Sequence, residues 1–302
     1  MLLNKHIPFF YIFERIKVEF WLVTVYMAGI GLIDEGHIFK SISIPLAIPS
    51  ILGTAISLIL GFRTNQAYSR WWEARQVWGA IVNDSRSFVR QLLSFTADIP
   101  DGEAKTAFIQ RLSFRQIAFC YALGDALRGL DPLQKIKSLL SDEDILFLEQ
   151  HQNKHNALLL LNGRDLKSAL AEKRLNAYQQ VQLDETINKL CDSMGKCERI
   201  KNTVFPATYS LVVHLFIYLF VIFLPFGLVD FLGYVEIPLV VAIATMFFYI
   251  EKTAIIMQDP FENRPSDTAV SSISRTIEIN IKQMLKYDTV PEKWEADDYY
   301  IM

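Results

Sequence analysis

Cysteine, histidine and glycine are scarce in this chain of 302 residues, and each scarcity removes a class of chemistry. Cys120, Cys191 and Cys197 are an odd set without C-x-x-C spacing, which excludes a zinc ribbon or a thioredoxin-type pair. They are expected to be free thiols on a reducing, cytoplasmic side. Of five histidines, only His151 and His155 have a metal-like i, i+4 spacing; without an H-E-x-x-H sequence or a cysteine cluster they read as surface side chains. Thirteen glycines build no Walker loop, no Gly-x-Gly-x-x-Gly and no Gly-x-Ser-x-Gly, so nucleotide binding and serine hydrolysis have no support. The chain therefore reads as a non-enzyme with no cofactor and no resident metal. A net charge of −3 carries no basic excess, which argues against a nucleic-acid partner. Strand-like alternation between turn signals is absent too.

What is abundant is apolar: 51% hydrophobic residues, with 21 Phe, concentrated in blocks. Phe20 to Ile33 is uncharged but short for the ~20 apolar residues a bilayer core requires, so it must borrow Ile16 to Val18 or sit tilted or broken. Ser41 to Phe62 is long, uncharged and runs on without a break signal into Arg63 and beyond. Asn202 to Val229 holds only His214 as an ionisable group, which reads as a neutral imidazole satisfied by a neighbouring helix. Ile237 to Ile250 reaches membrane length only by including Glu251 and Lys252 on the way to Met257. Met1 to Phe13 lacks the basic start, apolar core and small-residue site of a signal peptide. Lys5, Arg15 and Lys17 precede the first block and Arg63, Arg70 and Arg75 follow the second, whereas Asp34–Lys40 has one Lys and Asp230–Glu236 no basic residue. Both termini and the large middle region are thus expected in the cytoplasm.

That middle region reads as helices. Trp71, Ala74, Trp78, Ile81, Ser85, Phe88 and Leu92 recur at three- or four-residue steps, and Asp98 to Gly102 supplies a stop. Further helices are expected from about Ala104 to Leu127, from the acidic start at Ser141-Asp142-Glu143-Asp144 through Glu149, from Asn156 to Gly163, and from Leu175 to Ile200. Within the second block, Thr54, Leu58 and Phe62 fall at i, i+4 and i+8, one helical stripe, and Gly53, Ala55, Ser57 and Gly61 are small enough for close helix approach. Two readings stand: a helix packed among copies of itself, or a lipid-facing or core helix whose stripe has no further meaning. After the last block, Asp259 to Asp267 offers carboxylates for a hard cation, or a turn with Asp259 capping a helix.

Gly61-Phe62 followed by Ser69-Arg70-Trp71-Trp72-Glu73, then Cys197-Glu198-Arg199-Ile200-Lys201-Asn202-Thr203 before Phe205-Pro206, then Asp259-Pro260-Phe261 resemble the bestrophin family in its bacterial branch, in order and spacing over nearly the whole chain. The resemblance implies an all-α subunit with four transmembrane helices and a helical cytoplasmic region, assembled as a homopentamer around one axial pore. It implies a pore neck of three rings at Thr54, Leu58 and Phe62, with Thr54 a departure from the family's bulky apolar pattern, and a lower cytoplasmic aperture near Tyr178. It also implies a vestigial calcium-clasp region at Asp259, Glu262 and Asp267, because the acidic run that animal members carry after Phe261 is replaced by Glu262-Asn263-Arg264-Pro265.

The corresponding segments are 1–62 (N-terminal arm, first two membrane helices and neck), 63–203 (cytoplasmic helices), 204–258 (third and fourth membrane helices) and 259–302 (cytoplasmic C-terminal segment). The implied activity is passive conduction of monovalent ions: chloride and other anions in animal and plant members, cations such as sodium in some bacterial ones. Its partners are the other subunits, the bilayer of a bacterial inner membrane and the permeant ions. The alternative is a membrane-anchored helical scaffold or sensor that does not conduct. A secondary transporter is disfavoured because no inverted repeat is visible and Pro225 and Pro238 are isolated.

Overall fold

The computed structural model describes residues 9–34, 44–96, 99–100, 102–203, 205–232, 235–296 and 300–301. Lys5, His6, the connection carrying His37, and part of the expected stop at 98–102 lie outside them. Among the described residues there are helices and no strand: α1 Phe9–Asp34, α2 Ala47–Phe95, α3 Glu103–Leu127, the single turn α4 Leu133–Ile136, α5 Asp142–Glu149, α6 Lys154–Ala171, α7 Ala177–Asn202, α8 Ala207–Leu232, α9 Glu236–Met257 and α10 Val270–Met284. By length and composition α1, α2, α8 and α9 can each cross a membrane. The described residues divide into two compact units, one of 9–71 and 205–259, the other of 72–203 and 260–301.

In the first unit, α1 solves the problem of its short apolar block by starting well upstream: its 26 residues include Glu14, Arg15, Lys17 and Glu19. The core of this unit joins Val23 and Met27 of α1, Ile56 and Leu60 of α2, Val213, Ile217 and Phe220 of α8, and Val240, Ala244 and Phe248 of α9. Small residues permit part of this packing. A Cβ on Gly53 would meet the Phe220 ring at 3.0 Å, and one on Gly227 would meet Pro49 at 2.8 Å, whereas Gly61 faces open space. Pro206 stands before α8, where its missing N–H is harmless, and the third apolar segment starts later than Asn202 because Asn202 closes α7. Pro225 lies inside α8, and the Tyr26 hydroxyl donates to the Ile222 carbonyl in the turn before it.

The second unit is a helical bundle around Trp78, Phe88 and Leu92 of α2, Phe108, Phe119 and Leu123 of α3, Leu158 and Leu166 of α6, Leu183 and Leu190 of α7, and Ile277 and Ile281 of α10. Ser141 caps α5 by accepting the Asp144 N–H, as its acidic start suggests. Asp144 has a second task. The Arg115 guanidinium donates to both its oxygens at 2.6 and 2.8 Å and to Asp165 at 2.9 Å, tying α3 to α5 and α6. Asn176 and Gln179 form a reciprocal capping box at the start of α7. The helix expected at Asn156–Gly163 is longer than its apolar core suggests, because Asn153 caps it and no break follows until Ala171.

All three cysteines are free, and burial pushes the Cys120 thiol up to about 12. The expectation of surface histidines fails for His155. It is buried on α6, with Nε2 2.8 Å from Glu198, and its desolvation lowers its pKa. His151 sits outside α6, its Nδ1 2.7 Å from the Phe147 carbonyl, so the pair does not share a helix face.

Candidate functional site

Between Pro45 and Phe95 no proline other than Pro49 interrupts the chain, and Pro49 lies in the tolerated first turn, so α2 runs unbroken for 49 residues, roughly 74 Å at 1.5 Å each. Its membrane half has two faces. Ile56, Leu60, Arg63 and Ala67 are buried in the first unit, while Ile51, Thr54, Leu58 and Phe62 are exposed, Leu58 by 62% and Phe62 by 61%. Two large apolar side chains thus stand outward on one stripe of a well-packed helix. The Thr54 hydroxyl donates to the Ser50 carbonyl at 2.9 Å, so its proton is committed to the helix backbone.

The residue after Phe62 turns about 100° around the helix, and Arg63 is thereby buried. Its Nη1 lies 3.4 Å from Glu251 Oε1 on α9, with both side chains 1% exposed, and its Nη2 donates to Ser210 of α8 at 2.8 Å. The other Glu251 oxygen lies 2.8 Å from His214 Nδ1. The next residue, Lys252, pairs with Glu19 of α1 at 2.8 Å. Four apolar helices are therefore cross-linked by charge. Sequence spacing carries no sign of this network: Glu251 and Lys252 read as the tail of a span, and the neighbouring helix expected to satisfy His214 is α9, through the Glu251 carboxylate. The available signal was one ionisable residue of each kind inside apolar blocks.

The other sequence candidates are less grouped. Tyr178 is 90% exposed on the first turn of α7. Asp259 lies 4.0 Å from Arg70, whose Nε donates to the Gln258 carbonyl at 2.8 Å. Glu262 receives Lys201 at 2.5 Å, and that bond holds its carboxyl below the usual range. Asp267 is buried, accepts the Arg264 N–H at 3.0 Å, and is raised by desolvation against the pull of nearby Arg264 and Arg128. Among the described residues, no three His, Cys, Asp or Glu side chains are grouped to hold a metal ion.

The chain is similar to known proteins over most of its length. Residues 10–283 match the family described as Bacterial/Fungal Bestrophin protein. The voltage-dependent anion channel-forming protein YneE of Escherichia coli K12 is 32% identical over 259 residues, 86% of this chain and 83% of that protein. The voltage-dependent anion channel-forming protein alr2987 of Nostoc is 33% identical over 250 residues, 80% of each chain. The crystal structure of a bacterial bestrophin homologue from Klebsiella pneumoniae superposes with a TM-score of 0.83 at 28% identity, covering 90% of this chain and 99% of that one. With a family match over most of its length and a shared fold, the chain belongs to the bacterial and fungal bestrophin family.

Proposed function

We propose that this chain is the subunit of a passive, bestrophin-type ion channel, five copies forming a closed ring around one pore in a bacterial inner membrane. Segments 1–62 and 204–258 form the membrane part, and 63–203 and 259–302 a cytoplasmic part with both termini. The observation that carries this reading is the outward stripe of Thr54, Leu58 and Phe62 beside the buried Ile56, Leu60 and Arg63. Rotation about an axis facing that stripe turns each exposed side chain into a ring, a closed cyclic arrangement. Tyr178 forms the second, cytoplasmic aperture. Monovalent anions are the favoured cargo, since the related proteins carry the name anion channel-forming. Apolar rings gate by dewetting and do not by themselves impose the sign of the ion. Reversal potentials of the purified protein in a bilayer under a salt gradient test the assignment: a shift toward the chloride potential supports it, a shift toward the cation potential moves the cargo to sodium-like ions, and electrically silent bilayers support a scaffold.

Two further results are expected. The mass of the detergent-solubilised protein, corrected for bound detergent, should be that of five chains of 34.7 kDa; a stable monomer would remove the pore. Micromolar Ca²⁺ should leave the current unchanged, because Glu262 is already neutralised by Lys201 and Asp267 is flanked by two guanidinium groups that repel a divalent cation. Activation by Ca²⁺ that disappears in Asp267→Ala would contradict this.

A further inference from the structure

A cleft of about 530 Å³ lies between α1 and α9, walled by Phe13, Ile16, Phe20, Met246, Tyr249 and Ile250. Its volume is in the ~300–1,000 Å³ range of small-molecule sites. Its chemistry is narrow. Thr245 also lines it, but the Thr245 hydroxyl donates to the Val241 carbonyl at 2.6 Å, which leaves the Tyr249 hydroxyl as the one uncommitted polar side chain of the wall among the described residues. A sugar or nucleotide would leave most of its polar groups without partners there; a hydrocarbon chain would leave none.

Charge selects the other end of the occupant. Lys17 falls four residues after Phe13 and three before Phe20, on the helix face that borders the cleft. It is exposed and has no partner among the described residues. The neighbouring cations are engaged: Arg15 with the Tyr11 hydroxyl and ring, Lys252 with Glu19. Trp21 and Val18 are exposed beside Lys17, the mixture of aromatic, apolar and basic side chains that sits at a membrane–water boundary.

We propose that this cleft holds one acyl chain of an anionic phospholipid, with the lipid phosphate paired to Lys17. The inference rests on the reading that α1 and α9 span a bilayer with their Lys17 and Lys252 ends in the cytoplasmic leaflet. Native mass spectrometry of the purified assembly, exchanged into phosphatidylglycerol or phosphatidylcholine, tests it. The wild-type assembly should retain phosphatidylglycerol about fivefold better than phosphatidylcholine, the effect of one basic side chain beside an anionic lipid. Lys17→Gln should abolish the preference and Lys17→Arg keep it, while Thr245→Phe combined with Met246→Trp should lose both lipids from an intact assembly. Equal retention of the two lipids by the wild type, or undiminished phosphatidylglycerol on the filled-cleft variant, overturns the proposal. Dissociation of the filled-cleft variant also overturns it, by assigning the cleft to a second copy of this chain. Retention is read on conducting and silent assemblies alike, so failure of the channel reading registers separately, in the bilayer recordings.

Discussion

Replacing Leu58 and Phe62 together by alanine is expected to raise the single-channel current about tenfold, which corresponds to ~1.4 kcal/mol removed from the barrier. In the proposed ring the stripe positions stack ~6 Å apart, four residues at 1.5 Å each. An ion passing them sheds part of its hydration, and apolar walls return no ligands. Both side chains stand clear of the subunit core, so truncating them leaves the packing around Ile56 and Leu60 in place. Thr54→Ala should change the current little, because the hydroxyl proton is already given to the Ser50 carbonyl and Thr54 is the smallest of the three side chains, so its ring is the widest. Recordings in planar bilayers, with the mass of the assembly verified for each variant, decide the matter. Unchanged current in the double variant would move the proposed barrier to Tyr178, whose exposed ring on the first turn of α7 is the next side chain to truncate.

Removing the Glu251 carboxylate is expected to be the most damaging single change to stability. Glu251→Ala leaves the Arg63 guanidinium buried among apolar side chains with Ser210 as its remaining hydrogen-bond partner, and breaking such a pair costs about 3–5 kcal/mol. Arg63 also lies 5.5 Å from the Phe205 ring, a contact too weak to replace a carboxylate. Removing both charges behaves differently. Arg63→Met with Glu251→Leu fills the same volume without an orphaned ion, and stability should return close to wild type. Because Arg63 follows Phe62 directly, the single variant should also disturb conduction in whatever protein assembles. Thermal unfolding of the detergent-solubilised assembly is the measurement. A Glu251→Ala protein as stable as wild type, or a double variant no better than the single, would show that the pair does not hold α2 against α9.

The sequence was most legible where structure is local. Hydropathy located α1, α2, α8 and α9, three- and four-residue steps carried α2 past Phe62 without a break, and Ser141 with its acidic neighbours marked the start of α5. Each depends on residues within one or two turns, where side-chain periodicity and capping decide the backbone. One local signal has no counterpart among the expected helices: Val270, Ile273, Ile277, Ile281 and Met284 follow a helical spacing that forms α10, beyond the Asp259–Asp267 carboxylates.

Other features became determinate only when helices distant in sequence packed together. His151 and His155 are four apart, yet a turn between α5 and α6 separates them and hands His155 to Glu198 on α7. Arg63, His214 and Glu251 each looked like an isolated polar residue in or beside an apolar block. Periodicity assigns a residue to a helix face but not to a facing neighbour, and a separation of 188 positions from Arg63 to Glu251 leaves no local trace of their pairing. By itself, then, the sequence determined a chain of helices, four of them able to cross a membrane, and a Thr54–Leu58–Phe62 stripe on the second whose exposure only the packed structure decided. Tertiary packing decided which buried charges neutralise one another, because an ion in an apolar interior is tolerated only where another helix brings the opposite charge to it.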